Sequence, residues 1–414
     1  MSAFVGVLLA YSASVFEYIF PWDDGQMIQM TQRVIAGDLP HADFSDTYTG
    51  LLNYWHAQSV RFVPLSILSL RVQLIVCFAT AIAFIWWCLR QEMTFRYASF
   101  ACVAAIAWGP VVYAAPMPSW YNLILAMMSM FLLYRCYQSN HPSTLILIAG
   151  ITAGLSICCK ITGLYAVAAG LVFLSHAERS PTQTATWRSL GAFAGLHSTL
   201  IICLAALLWE FGDWEFGLLL GGPYIVLASL LFFRSWSTRM PFPSRDVFMF
   251  VLGAALPTLG FLLLFFIENE VAALLEGVFE KPTRRLEYEK TAGAFPVLPS
   301  VVLSAICGLA MFIGIRRPGL RVSLALFMSA AWLFCLLLAG VNLLAYSQFW
   351  GWLRFAPIVI CIYTALTFLS RDEAMNSKLC PQTLLLFSSF VAFLPLIQLP
   401  FPHGIYVVYS APLV

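Results

Sequence analysis

Five aspartates, Asp23, Asp24, Asp38, Asp43 and Asp46, fall within one polar stretch, Pro21–Arg71, of a chain that is otherwise mostly apolar. A carboxylate at a membrane surface needs water, a cation or a proton-transfer role, because burying it unpaired is very costly. Asp23 and Asp24 support two readings. They can serve as general base or as ligands of a hard divalent cation such as Mg²⁺ or Mn²⁺, which prefers oxygen. Alternatively they cap the helix that follows, where negative charge suits the N-terminal end. Asp38 and Asp46 read as ordinary turn residues.

The elements that must hold these residues are membrane spans. The chain has 414 residues, 61% of them hydrophobic and only 10% charged, against about a quarter charged in soluble domains. The fold class expected is an all-α polytopic membrane protein, one integral-membrane domain over 1–414. About 20 apolar residues make a span. Such segments lie near 3–20, 67–89, 97–115, 120–137, 143–159, 161–176, 189–209, 217–233, 247–267, 299–315, 322–340, 354–370 and 383–400, giving eleven to thirteen spans as neighbours merge.

Orientation follows from Lys and Arg. With a cytoplasmic N-terminus, the inner loops hold Arg90, Arg96, Arg135, Arg179, Arg188, Arg234, Arg239, Arg245, Arg316, Arg317, Arg321, Arg371 and Lys378, but only five acidic residues. The acidic loop then faces away from the cytoplasm. The first segment lacks a basic n-region and a small-residue cleavage site, so it reads as an anchor. No basic tract is present, which argues against nucleic acid as a partner. The 11 cysteines sit in spans or near their cytoplasmic ends without a C-x-x-C, as packing residues.

Three long segments join the spans on the outer side: 21–66, 268–299 and 341–354. In the first, Met27, Met30, Val34 and Ile35 repeat at helical spacing and Gly37 stops the helix, while Leu51, Leu52, Trp55, Ser59 and Phe62 suggest a second, interfacial helix. In 268–299, Val271, Leu274, Leu275, Val278 and Phe279 form an apolar stripe. Amphipathic helices above many spans suggest a roofed cavity.

The chain carries Asp23-Asp24-Gly25, Ala36-Gly37-Asp38-Leu39-Pro40, Asp43-Phe44, Lys160-Ile161-Thr162-Gly163-Leu164 and Arg354-Phe355-Ala356-Pro357. These motifs resemble those of the GT-C-type integral-membrane glycosyltransferases, specifically bacterial relatives of protein mannosyltransferases and aminoarabinose lipid A transferases, the last with one residue fewer than the family's R-[YF]-x-x-P pattern. The chain departs from that pattern with Thr49-Gly50 where many relatives have Pro-Pro or Gly-Pro. It also stops at Val414 where several carry a soluble domain.

The resemblance implies inverting transfer of a sugar from a polyprenyl-phosphate donor to a lipid, glycan or protein acceptor, on the periplasmic face of a bacterial inner membrane. It makes Asp23 the first choice of base, with Asp24 and Asp43 as partners, and Asp23 and Asp43 as ligands of any divalent cation. Lys160, Arg284, Arg285 and Arg354 are candidates for the donor phosphate, and His41 for sugar contact. Lys160 and Arg354 read equally as interfacial cations, and Arg284 and Arg285 as a solvated charge run. The rival reading is a transporter or flippase of a lipid-linked or other amphipathic substrate, which places ionisable residues within its spans.

Overall fold

The computed structural model describes residues 11, 19–107, 109–110, 113–138, 143–177, 187–209, 217–238, 242–281, 306, 309, 313, 317, 320, 356–369 and 381–398. The described residues are helical, without a strand. Their extended pairing is the single bridge between Pro40 and Phe44. The candidate spans 3–20, 299–315 and 322–340 lie outside these residues, apart from isolated positions.

Two short helices come first, α1 (Pro21–Ala36) and α2 (Leu51–Ser59). Long helices follow: α3 (Ile67–Glu92), α4 (Phe95–Ala107), α5 (Pro118–Gln138), α6 (Ser143–Cys159), α7 (Leu164–His176) and α8 (Trp187–Trp209). After them come α9 (Gly222–Thr238), α10 (Ser244–Ile267), the short α11 (Val271–Leu275), α12 (Ala356–Leu369) and α13 (Pro381–Phe393). Among the described residues four stretches, Ile67–Gln91, Ser189–Trp209, Gly217–Ser235 and Ser244–Ile267, are long and apolar enough to cross a membrane. The chain is an all-α, membrane-associated protein.

Helix starts and stops follow local chemistry. Gly37, at φ 98°, donates its N–H to Val34 and ends α1 as a left-handed cap, as expected. That helix begins earlier than the Met27–Ile35 stripe indicated. Pro21 occupies its first position and both carboxylates its first turn, each favourable at a helix N-terminus. At the start of α3, Ser66 and Ser69 exchange side-chain and backbone hydrogen bonds in a capping box.

The closest helix packing is between α6 and α10. A Cβ on Gly150 would lie 2.2 Å from the Phe250 carbonyl oxygen, and one on Gly154 equally near that of Ala254. Gly253 approaches the Leu147 oxygen just as closely from the other side. Small residues at four-residue spacing let two backbones touch, the device membrane helices use where burial against lipid gives no drive. Within this bundle α5 is buried along most of its length.

Chain direction sorts the helix ends onto two faces. The N-terminal ends of α3 and α5 and the C-terminal ends of α6 and α10 meet the segment 21–66. Arg71 pairs with Asp24, Tyr54 packs on Phe261, His56 on Tyr121, and the Lys160 amine lies near the Tyr48 ring. On the opposite face the Arg135 guanidinium lies 4.2 Å from the centre of the Trp87 ring, and the Tyr134 hydroxyl reaches the Cys88 carbonyl. The acidic stretch and the described arginines Arg90 and Arg135 thus lie at opposite ends of α3 and α5.

Candidate functional site on the loop face

Asp23 and Asp24 are neighbours in sequence with opposite surroundings. Asp24 is 1% exposed and receives two hydrogen bonds from Arg71, Nη2–Oδ2 at 2.6 Å and Nε–Oδ1 at 3.2 Å. Its Oδ2 also accepts the Phe20 amide at 2.9 Å. The Arg71 side chain is equally buried, and its guanidinium lies over the Phe20 ring. Arg71 sits one turn into α3, so the pair ties the start of α1 to the start of the first long helix.

Asp23 is half-buried. Burial first, and the negative charge of Asp24 second, raise its carboxyl above the ordinary range. It is therefore a stronger proton acceptor than a free aspartate while remaining reachable from solvent.

Asp43 is exposed and occupied as a turn residue. Its carboxylate accepts the Leu39 amide at 2.7 Å, and its carbonyl accepts from Arg33. Asp38 pairs with Arg33 at the same end of α1. Ten residues of helix, about 15 Å at 1.5 Å each, separate Asp23 from Arg33. Asp23 and Asp43 are thus tied to opposite ends of α1 and do not form the shared cation site expected of them. Among the described residues no group of three His, Cys, Asp or Glu side chains stands close enough to hold a metal ion.

His41 lies at φ 69° and is buried, its Nε2 3.3 Å from the Thr49 oxygen. Its ring fills the space beside Gly277, where a Cβ would meet Nδ1 at 2.0 Å. It pins segment 21–66 to the turn after α11 rather than facing open space. Burial holds it below the usual imidazole range.

Lys160 marks the extended break between α6 and the short turn that leads into α7. Its Nζ donates to Ser119 Oγ at 2.8 Å and lies 5.8 Å from the centre of the Tyr48 ring. Asn122 braces this break by donating to the Ser156 and Lys160 carbonyls. Gly163 folds back so tightly that a Cβ would fall 2.3 Å from the Ile157 amide nitrogen, which explains glycine in the Lys160–Leu164 motif. Burial lowers the Lys160 amine to about 7. Arg284, Arg285 and Arg354 lie outside the described residues.

Two residues carry more than the sequence conveyed. Asp46, expected as a surface turn, is 1% exposed. It accepts from the Tyr48 amide and from Asn53 Nδ2 at 2.6 Å, and burial pushes its carboxyl up to about 6. His56 is fully buried, its Nε2 3.2 Å from the Tyr121 hydroxyl, and burial lowers it to about 3. The spacing of Asp46 and Asn53 on either side of a helix start is the signal that points to the first. Nothing local points to the second, because its partner lies 65 residues away.

Comparisons of this chain with protein-family models, with curated proteins and with solved structures find no match.

Proposed function

We propose that this protein is a GT-C-type glycosyltransferase that moves a sugar from a polyprenyl-phosphate donor to an acceptor hydroxyl or amine, with inversion. The observation that carries the reading is the contrast between Asp23 and Asp24. One carboxylate is sealed in an ion pair with Arg71, while the other is left half-exposed with raised proton affinity. Adjacent acids pushed into different environments are how a site separates a base from a structural charge.

In this reading Asp23 takes the acceptor proton as the acceptor atom attacks the anomeric carbon. The bond from that carbon to the phosphate oxygen breaks, and the lipid phosphate departs with the electron pair. Lys160, held by Ser119, supplies positive charge to that phosphate. Asp24 positions Asp23, and no step runs through a metal ion. The motif resemblance and the basic-residue asymmetry support a bacterial inner membrane with this face in the periplasm. The transporter reading has one observation on its side, a histidine pair buried between spans, taken up below.

The test is transfer of labelled sugar from a panel of polyprenyl-phosphate sugars by purified protein in lipid. Sugar transfer to an added acceptor supports the proposal, and absence of both donor binding and transfer across the panel overturns it.

A further inference from the structure

The arginine-side half of the bundle contains a chain of four polar side chains that the proposed chemistry does not use. His176 Nε2 and His197 Nε2 are 2.8 Å apart, joining the end of α7 to the middle of α8. His197 Nδ1 is 2.9 Å from the Tyr224 hydroxyl, and His176 Nδ1 is 3.0 Å from Ser235 Oγ, both partners on α9. All four residues are at most 4% exposed. Tyr224 and Ser235 are separated by about 16 Å along their helix, roughly half of a bilayer core. Two of the helices concerned are among those able to cross a membrane.

Proton positions in this chain follow by elimination. The hydroxyl of Ser235 is 2.9 Å from the Leu231 carbonyl, which can only accept, so the single Ser235 proton goes there. Ser235 Oγ must then accept from His176 Nδ1–H. A neutral His176 with its proton on Nδ1 presents a bare Nε2, so His197 donates Nε2–H across the 2.8 Å contact. A neutral His197 then has a bare Nδ1, which accepts from Tyr224. Every hydrogen bond is satisfied in one direction, from Tyr224 to Leu231.

An added proton finds unequal ends. At the Ser235 end, His176 Nδ1 already carries hydrogen. At the Tyr224 end, His197 Nδ1 can take a proton if the phenol turns from donor to acceptor, and every other bond in the chain survives. The resulting imidazolium shares its Nε2 proton with His176. Phe193 stacks on His176, Phe393 lies against Tyr224, and the charge that reaches His176 among the described residues is Arg234 on α9.

From this geometry we infer that His176, His197, Tyr224 and Ser235 form an intramembrane proton-binding site that loads one proton at His197 Nδ1. Ionisable side chains between spans are costly, pair with one another, and mark ion pathways and proton relays. The inference is independent of the sugar-transfer reading.

The test is nitrogen-15 NMR of histidine-labelled protein in lipid bilayers, followed from neutral to acid pH. Tyr224→Phe perturbs His197 and Ser235→Ala perturbs His176, so the two variants assign the pair while nearly preserving side-chain volume. At neutral pH the expected result is His176 protonated on Nδ1, His197 on Nε2, and a coupling between the two Nε2 nuclei. Acidification should load one proton on the pair, both rings changing together. In Tyr224→Phe that loading should require at least tenfold more protons, because the Nδ1–H of the imidazolium has lost its acceptor. The same tautomer on both rings, no coupling, independent titration of the two, or a Tyr224→Phe protein that loads as the wild type does would each overturn the inference.

Discussion

Arg71 reaches back 47 residues to hold Asp24 through both oxygens, with neither side chain exposed by more than a few per cent. Removing one member of a buried pair leaves an uncompensated charge and costs about 3–5 kcal/mol, whereas replacing both with apolar residues is often neutral. Asp24→Leu and Arg71→Met are therefore each expected to lower thermal stability sharply. The double variant should recover most of the loss, measured by melting in detergent or lipid.

Two buried titrating residues of the same segment, 21–66, pull stability in opposite directions with pH. Asp46, raised to about 6, carries a burial penalty that is absent below its unfolded value near 4 and grows as pH rises to 6. His56, lowered to about 3, contributes stability that is intact above about 6.5 and is lost as pH falls. Each changes stability by about 1.4 kcal/mol per pH unit, so between pH 6 and 4 they largely cancel. Melting temperatures across that range should be flatter in the wild type than in either variant. Asp46→Asn should lose stability on acidification, and His56→Gln should gain it.

Gly163 tests whether the Lys160–Leu164 motif is architectural. A methyl group there meets the Ile157 amide nitrogen at 2.3 Å, and backbone cannot yield as a flexible side chain can. Gly163→Ala should abolish or strongly reduce folded protein in size-exclusion profiles. Gly191→Ala, where nothing lies within 4 Å, should fold normally.

Much of the architecture was legible because apolar runs of about 20 residues are the length of a membrane-crossing helix and too long for a barrel strand. The segments read as spans 143–159 and 161–176 are apolar helices with those bounds, shorter than the four span-length helices, and Gly37 stops α1 as its place after the apolar stripe indicated. The partners of the polar residues were not legible. Asp24 was read as a base partner or helix cap and Asp46 as a turn residue, but one is paired from α3 and the other is buried against Asn53 of α2. The His176–His197 contact joins two helices 21 residues apart with no metal-type spacing, so only packing reveals it.

Lys160 gives the donor-binding half of the proposed chemistry its own signature. With its amine near 7, kcat/KM for a lipid-phosphate donor should fall as pH rises through about 7, because the cation is lost. Lys160→Arg, which stays charged, should remove that fall, while Lys160→Met should raise the donor KM at least tenfold at neutral pH. A pH profile unchanged in Lys160→Arg would exclude the residue from donor recognition.

The most direct test of the central claim compares sugar transfer by wild type, Asp23→Asn and Asp24→Asn under single-turnover conditions, with donor binding measured in parallel. Loss of a general base lowers the rate about 10²–10⁴-fold. Asp23→Asn should show that loss with donor binding and melting temperature unchanged, whereas Asp24→Asn should lose stability first. An Asp23→Asn protein that transfers sugar at the wild-type rate would contradict the assignment of Asp23 as the base.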